Sequence, residues 1–272
     1  MSGIRRRIAG SPLAPVAALP IRAAQVLRHD ARVLGASARW LALSREHTNY
    51  TYRLTERNRE HLAWWLVSVT GADIVEVRRF MSELEDDDSL RQHVASAGKA
   101  SARRGVADRE VRYGRRVGWY ALVRILRPEL IVETGTDKGL GSCVLAAALL
   151  ANGSGRLQTI DINPDSGYLI TGDYADVTER AMDDSLLVLT RDQRPVDLFL
   201  HDSWHSFAHE TSELEAVAPR LTTRAVVLSD NAHATDALMH WAERDGRRFS
   251  FFAEQPADHW YPGGGIGASW RQ

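Results

Sequence analysis

The chain has 272 residues, 44% apolar and 25% charged, with a formal net charge of −1 and a pI near 6.8. That length holds one large α/β domain, or one domain with an appendage, and the near-neutral balance gives no footprint for a nucleic-acid partner. The single cysteine, Cys143, excludes an internal disulfide and a CxxC metal site. No run reaches the roughly 18 apolar residues of a membrane span, and a cytoplasmic location is expected.

In chain order, residues 1–20 are basic, then apolar, broken by Pro12, Pro15 and Pro20, and read as a loosely ordered arm. Residues 21–44 carry apolar side chains at helical spacing. A second helix should begin at the N-cap Thr55 and stop at Gly71. One or two more follow, interrupted by the acidic run Glu83 to Asp88, which reads as a solvated turn. The small, polar stretch 97–108 is the candidate linker, so that 1–107 form an arm with a helical cap or oligomerisation region, and 108–272 a separate α/β domain. In that domain a helix ending at Pro128 is followed by ELIVETG (strand), CVLAAALLANG (helix), LQTIDINP and ADVTERAM (strands), and SLLVLTRD (helix). VDLFLHD, RAVVLSDN, RFSFFAEQ and GIGASWRQ complete the strands, with ETSELEAVAPRL and TDALMHWAERDG as intervening helices. The alternation predicts a doubly wound, mostly parallel seven-stranded sheet that ends in an antiparallel hairpin at its edge.

VETGTDKGLGS places Gly135, Thr136, Gly139, Gly141 and Ser142 between the first strand of this domain and a helix N-terminus, whose backbone N–H groups can receive a ligand. The G-x-x-x-G-x-G spacing is neither a dinucleotide fingerprint nor a P-loop. Glu133, two residues before the first glycine, would repel a pyrophosphate but suits a cationic amino group. Asp161, at the end of the second strand and 28 residues after Glu133, can take both hydroxyls of a ribose. An acid for an ammonium and another for a ribose describe S-adenosylmethionine (SAM) better than NAD. The competing reading is a tight strand–helix turn with incidental acids.

IVETGTDKGLGS, QTIDINP, DDSL, HDSWHSF and LSDN, in this order, resemble the class I methyltransferases, and within them the metal-dependent O-methyltransferases acting on sugar hydroxyls of bacterial macrolides and glycans. The resemblance implies a Rossmann-like fold with an N-terminal helical appendage. It also implies methionine contacts at Glu133, ribose contacts at Asp161, and adenine contacts near Asp184 and Ser185. Trp204 is a further candidate beside adenine, or equally a core or lid aromatic.

VDLFLHD ends at Asp202 and AVVLSDN at Asp230–Asn231, so all three side chains belong at the carboxyl ends of strands, where ligands gather in such sheets. Two carboxylates and a carboxamide are hard oxygen ligands suited to Mg²⁺ or another divalent cation, and the resemblance implies the same set. His205 stands where catechol-type relatives carry a lysine base and sugar-modifying ones a histidine, which makes it the expected general base. Asp202 also counts among the cofactor contacts. His201, His205 and His209 recur every four residues like a zinc site, yet His201 belongs to the strand and should face away from Asp202. Tyr50, Tyr52, His233 and Trp260 are weaker substrate candidates.

The expectation is thus a SAM- and Mg²⁺-dependent O-methyltransferase acting on a small molecule, a sugar foremost. Metal-independent or catechol-type methylation and a non-catalytic SAM- or nucleotide-binding module are the alternatives. The helical appendage is expected to cover the crevice or build a homo-oligomer interface.

Overall fold

The structure, a computed structural model, describes residues 12, 14–46, 50–105, 110–257 and 259–271. The described chain divides into two compact units, one of residues up to Ser44 with 259–261, the other of Arg45–Ala257 and Pro262–Gln272. Residues 106–109, where the boundary between appendage and α/β domain was expected, lie outside the described residues.

In the first unit, α1 (Ala14–Ala17) leads into α2 (Leu19–Leu43), a 25-residue helix with no buried side chain, and Trp40 packs against Trp260 at 5.4 Å between ring centroids. Among the described residues no helix is long and apolar enough to cross a membrane.

The second unit opens with β1 (Arg53–Leu54) and three helices, α3 (Glu56–Thr70), α4 (Ile74–Glu85) and α5 (Asp88–Ala100). Thr55 caps α3 by accepting from the Asn58 amide, and Gly71 ends it at φ +72°, a left-handed turn that glycine enters without steric penalty. The acidic run splits α4 from α5 because Asp87 turns its carboxylate onto the Leu90 amide as an N-cap. The helix α5 runs on to Ala100 and so takes up the first residues of the expected linker.

The remaining elements are α6 (Arg116–Leu126), β2 (Leu130–Thr134), α7 (Leu140–Asn152), β3 (Arg156–Ile160), α8 (Asp173–Asp176), β4 (Thr178–Ala181), α9 (Ser185–Arg191) and β5 (Val196–His201). After them come α10 (Phe207–Val217), β6 (Leu221–Asp230), α11 (Ala237–Arg244), β7 (Arg248–Ala253), β8 (Pro256–Ala257) and β9 (Gly265–Trp270). Seven strands form one sheet in the order β4-β3-β2-β5-β6-β9-β7, in which only β9 runs antiparallel to its neighbours. The fold is therefore the expected Rossmann-like one, and the expected antiparallel C-terminal hairpin is the pair β7 and β9 at the sheet edge, with β9 inserted between β6 and β7. Within ADVTERAM the first half turns as helix α8, and only Thr178–Ala181 pair with β3.

Side-chain alternation along each strand builds two cores. Ile131, Leu198, Leu200, Val226 and Leu228 face the core shared with α4, α6 and α7, whereas Val132, Phe199 and Val227 face the one shared with α10 and α11. Parallel strands buried on both faces read as continuous apolar runs, which is why LIV and LFL mark β2 and β5. Strand order reverses between β2 and β5, so a crevice opens at their carboxyl ends.

Candidate methyl-transfer site

Two backbone bonds hold the crevice: Gly135 donates to the Ile160 carbonyl and Asp202 to the Thr134 carbonyl, each at 2.8 Å. Gly135 (φ +89°) admits no side chain, since a Cβ there would stand 2.0 Å from the Asp202 carbonyl oxygen. Gly139 (φ +92°) starts α7, whose N-terminus receives no side-chain cap.

Glu133 is buried at the end of β2 and accepts from the Ser142 hydroxyl at 2.5 Å and the Thr159 hydroxyl at 2.7 Å. Burial pushes its carboxyl up to about 7, against the pull of those two hydroxyls and of Arg116. Asp161 is spent partly on the loop itself, accepting from the amides of Thr136 (3.0 Å), Asp137 (2.9 Å) and Asn163 (2.8 Å). The Thr136 hydroxyl pairs with that of Thr159 at 2.7 Å, which ties the loop to β3. Asp184 is exposed and caps α9 through the amides of Leu186 and Leu187, while Ser185 is buried and donates to Glu213 at 2.5 Å. Trp204 stands 71% exposed, which places it outside the core.

Two of the expected metal donors, Asp202 and Asp230, come together with His205, their ligand atoms within 4.8 Å of one another. Asn231, at φ +51°, directs its Nδ2 to His205 Nε2 at 3.1 Å. His205 precedes the Ser206 cap of α10, and burial draws its imidazolium below the ordinary 6.5 against the pull of Asp230. The ring is therefore neutral at pH 7 and its Nε2 accepts.

Asp230 is fully buried and accepts from both Nε and Nη2 of Arg115. Arg115 also reaches Glu254 at 3.3 Å and the Tyr52 hydroxyl at 3.5 Å, and Tyr52 donates to Glu254 at 2.8 Å. Among the described residues no arginine is bonded to Asp202, which is half-buried, and burial with the neighbouring charge of Asp230 pushes its carboxyl well above the usual range. An acid without a cation of its own beside a second acid and an imidazole is a donor set short of positive charge, and so it fits a divalent cation.

Tyr52 departs from the expected substrate role. It is 2% exposed and its hydroxyl is taken up by Glu254. Tyr50 is half-buried, His233 is exposed beside Gly264, and Trp260 belongs to the first unit against Trp40. His201 is buried on the opposite face of β5 from Asp202, with Nδ1 2.6 Å from Glu213, and His209 Nε2 lies 3.0 Å from the other oxygen of the same carboxylate. The three histidines therefore do not form a ligand set of their own; Glu213 takes two of them.

Arg115, Glu254, Glu213 and Arg116 escaped the sequence reading. Arg116 is buried over the Trp119 ring, its Nε without a hydrogen-bond partner, and a Cβ on Gly141 would stand 3.0 Å from Glu133 and 3.8 Å from that Nε. The only local signal was the pair of arginines after Gly114, ahead of an apolar helix.

Residues 132–232 match a family described as Methyltransferase domain. The fold is similar to that of O-methyltransferase TomG from Streptomyces achromogenes, involved in tomaymycin synthesis and bound to SAM, at 18% identity and a TM-score of 0.53, over 69% of this chain and 91% of that one. It is similar also to cofactor-bound Rv0187 from MTB (17%, TM-score 0.54, 70% and 92%) and to an O-methyltransferase from Bacillus cereus in complex with SAH (18%, TM-score 0.51, 71% and 96%). No curated protein sequence matches the chain. The matched segment spans β2 to the turn after β6, the part that carries the glycine loop and both acidic strand ends. Over that segment the chain is similar to a methyltransferase domain, set within the seven-stranded sheet described above.

Proposed function

We propose that the protein methylates a hydroxyl of a small molecule carrying vicinal hydroxyls, a sugar foremost, with His205 as general base and a divalent cation at Asp202 and Asp230. The observation that carries this reading is the convergence of Asp202, His205 and Asp230 beside the glycine loop. O-methyltransferases among the proteins of like fold support it further.

Glu133 receives the ammonium of the cofactor's methionine end, aligned by Ser142 and Thr159. Asp161 presents its remaining lone pairs to the ribose, and the loop Gly135–Gly141 lets the backbone approach. SAM supplies an activated methyl on a sulfonium, so deprotonation and alignment of the acceptor are the tasks left to the protein. His205 Nε2 takes the hydroxyl proton, the acceptor hydroxyl displacing the Asn231 amide that meets this nitrogen at 3.1 Å. Asp202 and Asp230, joined by the Asn231 carboxamide oxygen, would hold the ion, which supplies Lewis acidity and a template for two neighbouring hydroxyls. The appendage, residues 1–107, is assigned to substrate covering or self-association.

Calorimetry with S-adenosylhomocysteine (SAH) tests the class: binding is expected in the micromolar range, and its absence at high micromolar concentration overturns it. Transfer of labelled methyl from SAM to a panel of sugar acceptors, with and without EDTA, tests the rest. Turnover unchanged by EDTA would favour methylation by His205 without metal.

A further inference from the structure

One cation is already built into the acidic centre. Arg115 is 7% exposed at its side chain, and its partners Asp230 and Glu254 are fully buried. It reaches them from the residue that precedes α6, directed by Gly114 at φ +53°, where a Cβ would press to 3.1 Å on the Tyr52 carbonyl. Its guanidinium stacks over Trp119, 5.8 Å from the ring centre. Burying a guanidinium is unfavourable unless carboxylates compensate it, and Arg115 meets that condition with two of the three acids present. The third, Asp202, is left to whatever else binds.

The geometry has a consequence for any cation that takes Asp230 as a ligand. Both oxygens of that carboxylate are engaged by the fork of Arg115, so the incoming ion shares its ligand with a fixed positive charge. Glu254 and the Tyr52 hydroxyl offer the guanidinium a second resting place on the far side.

Resting on the divalent-cation reading above, we propose that Arg115 is an internal counter-cation of the metal centre: it keeps Asp230 aligned when no ion is bound and yields to one by shifting its hydrogen bonds toward Glu254 and Tyr52. Arg115 thereby sets how tightly the centre holds its ion.

The test is a titration of the full chain with Mn²⁺ alone, followed by electron paramagnetic resonance of the free ion, for the wild type, Arg115→Gln and Arg115→Lys. Arg115→Gln is expected to bind Mn²⁺ at least tenfold more tightly than the wild type, and Arg115→Lys, which keeps the charge but loses the fork, about threefold more tightly. Glu254→Gln, which removes the second resting place, is expected to weaken Mn²⁺ binding at least threefold. Equal affinity in wild type and both Arg115 variants overturns the role of Arg115 and leaves the metal reading standing. No Mn²⁺ bound by any variant overturns both. If Arg115→Gln does not fold, the comparison of Arg115→Lys and Glu254→Gln with the wild type decides.

Discussion

Asn231 and His205 meet across the crevice, Nδ2 to Nε2 at 3.1 Å, and the left-handed turn at Asn231 is what aims the carboxamide. A donor on Nε2 requires that nitrogen to be an acceptor, the state of a general base awaiting its proton. His205→Ala is expected to lower kcat by ~10²–10⁴-fold while leaving SAH affinity within about threefold. A kcat equal to that of the wild type removes the role.

The pH profile of kcat carries a second expectation. Burial depresses the His205 imidazolium, so the ring becomes neutral below pH 6.5 and the acid limb of kcat falls under that value at saturating SAM. An acid limb centred above 6.5 would point to another group as base. Saturation matters because Glu133 titrates close by.

Glu133 predicts a second acid limb, in binding. Its carboxyl titrates at about 7, and an ammonium needs it ionised. SAH affinity is therefore expected to rise through about pH 7 and to fall by up to tenfold per unit below it, with a proton released on binding. Glu133→Gln should weaken SAH and flatten this dependence; calorimetry in buffers of different ionisation enthalpy reads both. Without ligand the sign also fixes a stability effect. The folded state keeps this proton to higher pH than the unfolded chain does, so stability falls by about 3 kcal/mol as pH rises from about 4.5 to 7.

Gly135 predicts a steric failure. Gly135→Ala forces a Cβ against the Asp202 carbonyl and asks alanine to hold φ +89°. A loss of about 3 kcal/mol or more, and a fall in Tm of roughly 6 °C or more, is expected with loss of SAH binding. A Gly135→Ala protein with wild-type Tm would mean that the loop relaxes freely.

These residues divide by how far apart their partners stand in the chain. Thr55 and Gly71 cap a helix they adjoin, and Glu133, Asp161, Asp202 and Asp230 each end an apolar run, so local pattern was enough to put them at element ends on one edge of the sheet. Arg115 meets Asp230 across 115 positions and Tyr52 meets Glu254 across 202, and no periodicity links either pair. Asn231 was legible as an oxygen donor at a strand end; that its amide would turn to His205 depends on a backbone angle the residue type only permits. The zinc-like spacing of His201, His205 and His209 was set aside on strand geometry, but what holds two of them was not legible. The partner of two of them, Glu213, sits on α10 within ETSELEAV, where an inward-facing acid resembles its solvated neighbours.

Glu213 supplies the last prediction. Fully buried, it accepts from Thr134 at 2.7 Å, Ser203 at 2.9 Å and Ser185, besides the two histidine contacts. Burial alone would raise its carboxyl, but the bonds from His201, Ser185 and Thr134 outweigh it and hold the group down at about 2. Such a depressed acid contributes stability that is complete above about pH 4.5 and is lost as pH falls toward 2. Glu213→Gln replaces a charged acceptor with an amide that can no longer accept from both sides, so His201 or a serine is left unpaired. A loss of about 2–4 kcal/mol at pH 6 is expected, shrinking steadily below pH 4.5. Urea unfolding of both proteins from pH 6 to pH 3 measures the difference directly. A gap that stays constant across that range would show that Glu213 acts by shape alone and that its charge is not what joins β2, β5, α9 and α10.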